Sequence, residues 1–392
     1  MPLNNSIAAR VEDIVQWRRH LHRHPELEYD LPETSRFVAE KLRAFGCDEV
    51  VTGIGGTGLV AVIRGQNAGS RTIGLRADMD ALPVWEETGA EHASLTPGRM
   101  HACGHDGHTA MLLGAARQLA ETRAFSGTAI LIFQPAEEAG AGAKAMIDDG
   151  LFQRFPVDEV YSLHNLPGLP VGTFAVREGP IMASADRIEI EVLGSGAHAA
   201  RPHEGVDVVL TGAAIVTALQ QVSARNVDPQ KSAVVSICVF QAGEVDNVLP
   251  PSARLIGTAR TLAPDVRARV KERVRAIAEG VAAAHGATVR VNFPEGYPVT
   301  RNHPAQAAFA AEVAREVCGA HAVNAAAEPI MAAEDFAYML EEKPGAYLFI
   351  GNGPSQGLHH PAYDFADDAI AYGSSFWVRL VERALPASPS AT

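Results

Sequence analysis

A chain of 392 residues is long for one hydrophobic core and points to two domains. With 47% apolar and 20% charged residues, and mean hydropathy near zero, its composition is globular rather than disordered. A net charge of −13 without a basic stripe argues against nucleic acid, and no apolar run approaches the ~20 residues that span a bilayer, so no membrane partner is expected.

The first thirty residues lack a charged start followed by an apolar core and a small-residue cleavage site, so they do not read as a signal peptide. Four cysteines (Cys47, Cys103, Cys238, Cys318) are scattered, with no CxxC pair. That pattern suits a reducing cytoplasm and a chemical role for one cysteine rather than a disulfide framework.

In chain order, residues 7–23 and 33–46 have helical apolar spacing, 58–64 and 71–76 read as strands, and 106–121 as an Ala- and Leu-rich helix. A buried strand (127–133), a short helix (140–149) and another strand (157–165) continue the alternation expected of a parallel or mixed sheet covered by helices. The middle breaks the rhythm. Strand 186–194, helix 208–222, strands 232–243 and 252–261, helix 264–284 and strand 287–293 follow the β-α-β-β-α-β order of a ferredoxin-like unit. Alternation resumes near residue 303, so the predicted class is α/β with a mixed sheet. Its two parts, 1–182 and 296–392, flank an insert at 183–295. Only the tail, PASPSAT, reads as disordered.

Five segments gather the unusual polar residues: RADMDALP (76–83), MHACGHDGH (100–108), QPAEE (134–138), SLHN (162–165) and LHHPAYDF (358–365). Four of them fall where a predicted strand ends or a helix begins, and ligands bind beyond the carboxyl ends of strands in open α/β sheets. Cys103 and His105 offer a thiolate and an imidazole two residues apart, with Gly104 allowing a tight turn between them. Thiolate, imidazole and carboxylate together suit divalent zinc, manganese, nickel or cobalt. Glu137 and Glu138 follow an apolar strand and Pro135, where two like charges repel unless a cation lies between them. One could ligate metal while its neighbour deprotonates a metal-bound water. His164 ends a strand, where a lone histidine is more often a satisfied core residue. His359 and His360 precede Pro361 in a loop, where histidines are usually just exposed.

These segments, together with RRHLHRHPEL (18–27), FQPAEEAGAGAKAMIDDG and MAAEDFAYM (331–339), resemble the hippurate hydrolase and auxin-conjugate hydrolase branch of the aminoacylase/carboxypeptidase metallohydrolase family across essentially the whole chain. The resemblance implies a metallopeptidase-like catalytic domain interrupted by a ferredoxin-like dimerisation lid, hence a homodimer. It also implies two divalent ions held by Cys103 as the bridging ligand and by His105, Glu138, His164 and His359, with Glu137 as general base. In the last motif the family reads Leu-His-x-Pro, which selects His359 over His360. Asp80 resembles a residue that orients a ligand, and the role of Asp78 stays open. His198 matches a lid histidine that polarises the scissile carbonyl from the partner subunit, although a surface histidine is the plainer reading of its loop. Asn247 and Arg260 match lid positions that hold substrate. His101, Asp106 and His108 are expected to be structural or to support ligands, and His22 and His92 to be solvated or capping residues.

The implied activity is hydrolysis of the amide bond of an N-acyl or N-conjugated amino acid, giving a carboxylic acid and a free amino acid. A hydrolase of another N-substituted compound, such as a carbamoyl amino acid or a dipeptide, is the nearest alternative. A binding protein on a retired hydrolase scaffold is the alternative from another class. No GxSxG elbow or other serine-nucleophile motif is present.

Overall fold

The computed structural model describes residues 4–294 and 296–387. Residues 388–392, most of the tail expected to be disordered, lie outside the described residues. The chain divides into two compact units. The first takes in residues 1–179, 301–328 and 335–392, the second 180–300 and 329–334. The short stretch 329–334, read in sequence as part of the catalytic half, thus belongs with the insert.

The first unit is built on an eight-stranded mixed sheet. Its strands are β1 (Glu49–Ile54), β2 (Gly58–Arg64), β3 (Asn67–Asp78), β4 (Ser126–Gln134), β5 (Glu159–Leu166), β6 (Phe174–Ala175), β7 (Val323–Asn324) and β8 (Gly345–Gly351), in the spatial order β1-β2-β4-β3-β5-β8-β6-β7. The central strands β3, β4, β5 and β8 run parallel, and β4 and β8 are near-continuous apolar runs, as burial on both faces requires. Asp78 of β3 is in register with Gln134 of β4, and Arg76 with Ser162 of β5. Three of the polar motifs therefore emerge together at one edge of the sheet, beyond its carboxyl ends.

The helix His105–Thr122 is buried nearly all round and packs against helices Val11–Arg23 and Ala369–Ala384. That explains its run of Ala, Leu and Met. Strand β1 was not read from sequence: it is a largely exposed edge strand whose EVVTGI lacks clean alternation.

The second unit carries a four-stranded antiparallel sheet in the order Ala233–Ala242, Ser252–Thr261, Ser184–Leu193, Thr288–Asn292. Helices Val208–Leu219 and Pro264–Ala284 cover one face, so the order is the βαββαβ arrangement expected. Ile188, Ile190 and Val192 alternate inward against Ile215, Leu219, Val270 and Val274. One sequence expectation needs correcting. The 19-residue stretch Val208–Asn226 is long and apolar enough to cross a membrane by composition. About a third of it is buried in this fold, where Val208, Ile215, Leu219 and Val222 join the unit's core.

Candidate metal centre

The segment that delivers Cys103 and His105 is pinned on both sides. Leu82 and Met100 exchange backbone hydrogen bonds at 2.9 and 3.0 Å, and four residues past Met100, Gly104 turns with φ +88° into the long helix. A side chain at Gly104 could not fit: its Cβ would lie 2.3 Å from Asn165 Nδ2 and 2.5 Å from Tyr363 Oη. Asn165 fills that space to good purpose. It donates to the Cys103 carbonyl at 2.6 Å and accepts from Tyr363 Oη at 2.7 Å. Its backbone N–H donates to His108 Nε2 at 3.0 Å.

The paired glutamates follow β4 through Pro135 and Ala136, and Ala136 sits in the left-handed region at φ +53°. A non-glycine residue holds that conformation only where its surroundings impose it. Here Asp80 imposes it, its carboxylate accepting the backbone N–H of Glu137 at 3.0 Å and of Glu138 at 3.1 Å. The same carboxylate faces His105 Nδ1 at 3.3 Å, which turns His105 Nε2 toward Glu138 Oε1, 3.9 Å away. Glu137 is buried, and its Oε1 lies 3.4 Å from the donating Asp335 N–H.

His164 Nδ1 donates to its neighbour's carbonyl at 2.7 Å, leaving the Nε2 lone pair aimed at Cys103 Sγ, 3.4 Å away. His359, also in the left-handed region at φ +67°, reaches Glu138 Oε2 with Nε2 at 3.3 Å. The fold thus gathers Cys103, His105, Glu137, Glu138, His164 and His359 at one place in the first unit. Three sets of donor atoms lie within 4.8 Å of one another: Cys103–His105–His164, Cys103–Glu138–His359 and His105–Glu137–Glu138. Cys103, His105 and Glu138 each belong to two sets, the sharing that two adjacent ions require.

The donors fit a divalent metal on their own chemistry. Tetrahedral ligands 2.0–2.3 Å from zinc stand about 3.3–3.8 Å apart, close to the 3.3–3.9 Å separations seen here. His105 Nε2 and Glu138 Oε1 are buried without a hydrogen-bond partner among the described residues, an expensive arrangement that a cation would relieve. Burial, reinforced by Glu138, Glu137 and Asp78, pushes the Cys103 thiol well above its ordinary pKa. Burial alone would lower His105, but Asp78, Asp80 and Glu138 outweigh it and take it up to about 10. Burial holds His164 well below the usual histidine range, so its imidazole is neutral. Too much negative charge is therefore gathered here for a thiolate to exist unless a cation joins it.

Asp78, left open by the sequence, pairs with Arg76 Nη1 at 2.7 Å and with His108 Nδ1 at 2.6 Å. Despite the opposing effect of burial, those groups and His105 hold it well below the usual carboxylate range. Its Oδ2 also lies 3.8 Å from His105 Nε2, and with His105 and His108 it forms a further set of donors within 4.8 Å of one another. His360 is exposed and accepts the Ala362 N–H at 3.0 Å, capping its own turn.

His198, Asn247 and Arg260 lie in the second unit. His198 sits on a two-residue strand paired with Val248, its Nδ1 accepting from Ala200 N–H at 3.0 Å. The Asn247 carbonyl accepts from Ala199 at 3.0 Å, and Arg260 Nε donates to Thr258 Oγ1 at 3.2 Å.

Two expectations fail. His22 and His92, read as solvated or capping, are buried (0% and 7% exposed). His22 donates from both ring nitrogens, to Asp106 at 2.8 Å and Glu86 at 3.3 Å. Those carboxylates overcome burial and raise its pKa. The signal was present in the helix Val11–Arg23, where Arg18 and His22 share the face of Ile14, Val15 and Leu21. Arg76, Asn165 and Tyr363 were also passed over, although each stands inside one of the five polar motifs.

A model of peptidase family M20/M25/M40 matches residues 74–383. A hippurate hydrolase of Campylobacter jejuni is 42% identical over 363 residues, covering 93% of this chain and 94% of that protein. An N-acetyl-L-cysteine deacetylase of Bacillus subtilis is 40% identical over 385 residues, covering 98% and 90%. Among solved structures, a dinuclear metal-binding peptidase of the M20 family from Bacillus subtilis superposes with a TM-score of 0.85 at 35% identity, covering 97% of this chain and all of that one.

Proposed function

This chain belongs to peptidase family M20/M25/M40, and we propose that it is a metal-dependent amidohydrolase that releases an amino acid from its N-acyl or N-conjugated form. The observation that carries this reading is the position of Glu137. It is a buried carboxylate fixed through its own backbone by Asp80, beside the unsatisfied donors His105 Nε2 and Glu138 Oε1. The names of the relatives support the substrate class, since hippurate and N-acetylcysteine are both N-acyl amino acids.

We assign Cys103, His105, Glu138, His164 and His359 to two divalent ions, with zinc, manganese, nickel and cobalt all suited to the donors. Such ions, when bound, polarise a carbonyl oxygen and lower the pKa of a water. Glu137 takes the proton of the attacking water and returns it to the departing amine nitrogen. Asp80 fixes the backbone of Glu137 and Glu138 at adjacent positions, where one serves as base while the other ligates. Asn247 and Arg260 are assigned to substrate and His198 of the partner subunit to the developing oxyanion. This assumes a homodimer, supported by exposed Val209, Leu210, Val234 and Phe240 on the second unit and by an edge strand, Ala233–Ala242, paired on one side only. A thiolate ligand is easily oxidised, which favours a reducing cytoplasm as the working compartment.

The test is a hydrolysis panel of benzoyl-, acetyl- and indoleacetyl-amino acids. It is run on protein stripped with chelator and resupplied with each metal in turn. Metal-restored turnover on at least one of them is expected. Turnover confined to carbamoyl amino acids or dipeptides would move the substrate assignment to those compounds, and no turnover at all would remove the enzymatic reading.

A further inference from the structure

We propose that Arg18 is a positioning residue that sets the spacing between the two chain segments carrying Cys103 and His359. The inference rests on the metal-centre reading above but not on the choice of substrate. Arg18 lies on helix Val11–Arg23 with its side chain wholly buried. Its Nε stands 2.8 Å from Asp106 Oδ2, one residue past His105. Its Nη2 donates to Asp364 Oδ1 at 2.8 Å, and Nη1 lies 3.5 Å from Asp367 Oδ1. The guanidinium also sits over the Phe365 ring, 5.6 Å from its centroid. One planar cation therefore bridges the segment 103–106 and the segment 359–367.

Two of the three carboxylates around it, Asp106 and Asp364, are held a second time by histidines. His22 Nδ1 donates to Asp106 Oδ2 at 2.8 Å, and His92 Nε2 lies 3.1 Å from Asp364 Oδ1. Nearer the ligands, the His359 backbone N–H donates to the Ala102 carbonyl at 2.8 Å. That bond seats one end of each segment, and Arg18 fixes both again a few residues further on. Two attachments on each segment define its orientation as well as its position. A lysine cannot reproduce this: a single ammonium reaches one carboxylate as a point charge, whereas the guanidinium fork spans two. The motif RRHLHRHPEL thereby gains a purpose that neither ligation nor proton transfer supplies.

The candidate donor sets make the proposal specific. Cys103–His105–His164 draws on the start of the long helix and on β5, whereas Cys103–Glu138–His359 draws on both segments that Arg18 joins. Disturbing the clamp should therefore weaken one ion and spare the other.

The experiment titrates full-length, chelator-stripped protein with Co2+. The sulfur-to-cobalt and d–d absorption bands are followed, with stoichiometry by equilibrium dialysis. Wild type is expected to take two Co2+ per chain. Arg18→Lys is expected to bind one as tightly as wild type and the second about 10–100-fold more weakly, the range for residues that orient metal ligands. Asp364→Asn, whose side chain is 45% exposed and so tolerates change, should shift the same step by less. If Arg18→Lys does not fold, Asp364→Asn decides. Equal weakening of both steps, or a lowered Tm of the stripped protein with both steps unmoved, overturns the proposal in favour of a merely structural role. Wild type that binds fewer than two Co2+ overturns it together with the metal-centre reading. Wild type that binds two yet hydrolyses no N-acyl amino acid removes the substrate assignment alone.

Discussion

Asp80 and Glu137 are joined through the main chain: the Glu137 N–H donates to Asp80 Oδ1 at 3.0 Å, while the adjoining Glu138 N–H donates to Oδ2 at 3.1 Å. One carboxylate thus aligns two others through their backbone N–H groups, and it does so beside a strained Ala136 at φ +53°. Asp80→Ala leaves both N–H groups without an acceptor and frees the His105 ring. It is expected to lower metal affinity and kcat by about 10–100-fold each. The kcat losses of Asp80→Ala and Glu137→Gln should not add, because residues acting as a unit do not. A double-mutant cycle on kcat checks this, and strict additivity would show that Asp80 does not act through Glu137.

Glu137 is buried beside donors that it need not itself ligate, so its removal should separate proton transfer from metal binding. Glu137→Gln keeps the size of the side chain and its ability to accept the Asp335 N–H. The expected result is a fall in kcat of about 10²–10⁴-fold, with KM changed little and metal content unchanged by elemental analysis. A variant that retains near wild-type kcat with metal bound would show that another group takes the proton.

The polar motifs of this site were readable from pattern, because they stand where strands end, whereas the choice of ligands within them came from the family resemblance. Cys103, His105, Glu138, His164 and His359 come together in the fold as a set, although none is persuasive singly. The parts that were hidden share a physical cause. The resemblance gave Asp80 an orienting role but not its partners, which are the backbone N–H groups of residues 137 and 138, a contact across 57 positions that no local pattern encodes. Arg18 and His22 are polar residues on the buried face of a helix. They break the usual rule for that face and are tolerated because carboxylates from remote segments meet them there. The helices and strands of the second unit were legible because alternation there follows one buried face. Strand β1, exposed at an edge and containing a glycine, offered no such period.

Metal binding should compete with protons. At neutral pH without metal, the Cys103 thiol is protonated because burial and the neighbouring carboxylates hold its pKa high, and His105, taken up to about 10, is cationic. Ligation needs the thiolate and the neutral imidazole, so binding must displace both protons. Apparent affinity for Zn2+ should therefore rise from pH 6 to 9, with a logarithmic slope approaching about 2. Calorimetry in buffers of different ionisation enthalpy measures the protons released. Affinity independent of pH would argue that these two groups are not both ligands.

The second unit carries its own electrostatic tie. The Asp186 side chain, 1% exposed on strand Ser184–Leu193, accepts from Arg267 Nε and Nη2 at 2.7 and 2.8 Å and lies 2.7 Å from Lys271 Nζ, both on helix Pro264–Ala284. Burial would raise its pKa, but those cations outweigh burial and hold it below its ordinary 3.8. A folded-state pKa below the unfolded one means that the ionised carboxylate stabilises the fold. The contribution is complete above the unfolded value and is lost as the pH falls through the folded one. Asp186→Asn keeps the shape but not the charge, and is expected to destabilise the chain by about 2–3 kcal/mol at pH 7, the scale of charge-assisted hydrogen bonds. In urea titrations the gap between wild type and variant should be constant from pH 7 down to pH 5. It should then close as the pH drops below the ordinary aspartate range, because wild-type Asp186 also loses its charge there. A gap that persists unchanged in acid would mean that packing, not the ion pair, is what the substitution disturbs.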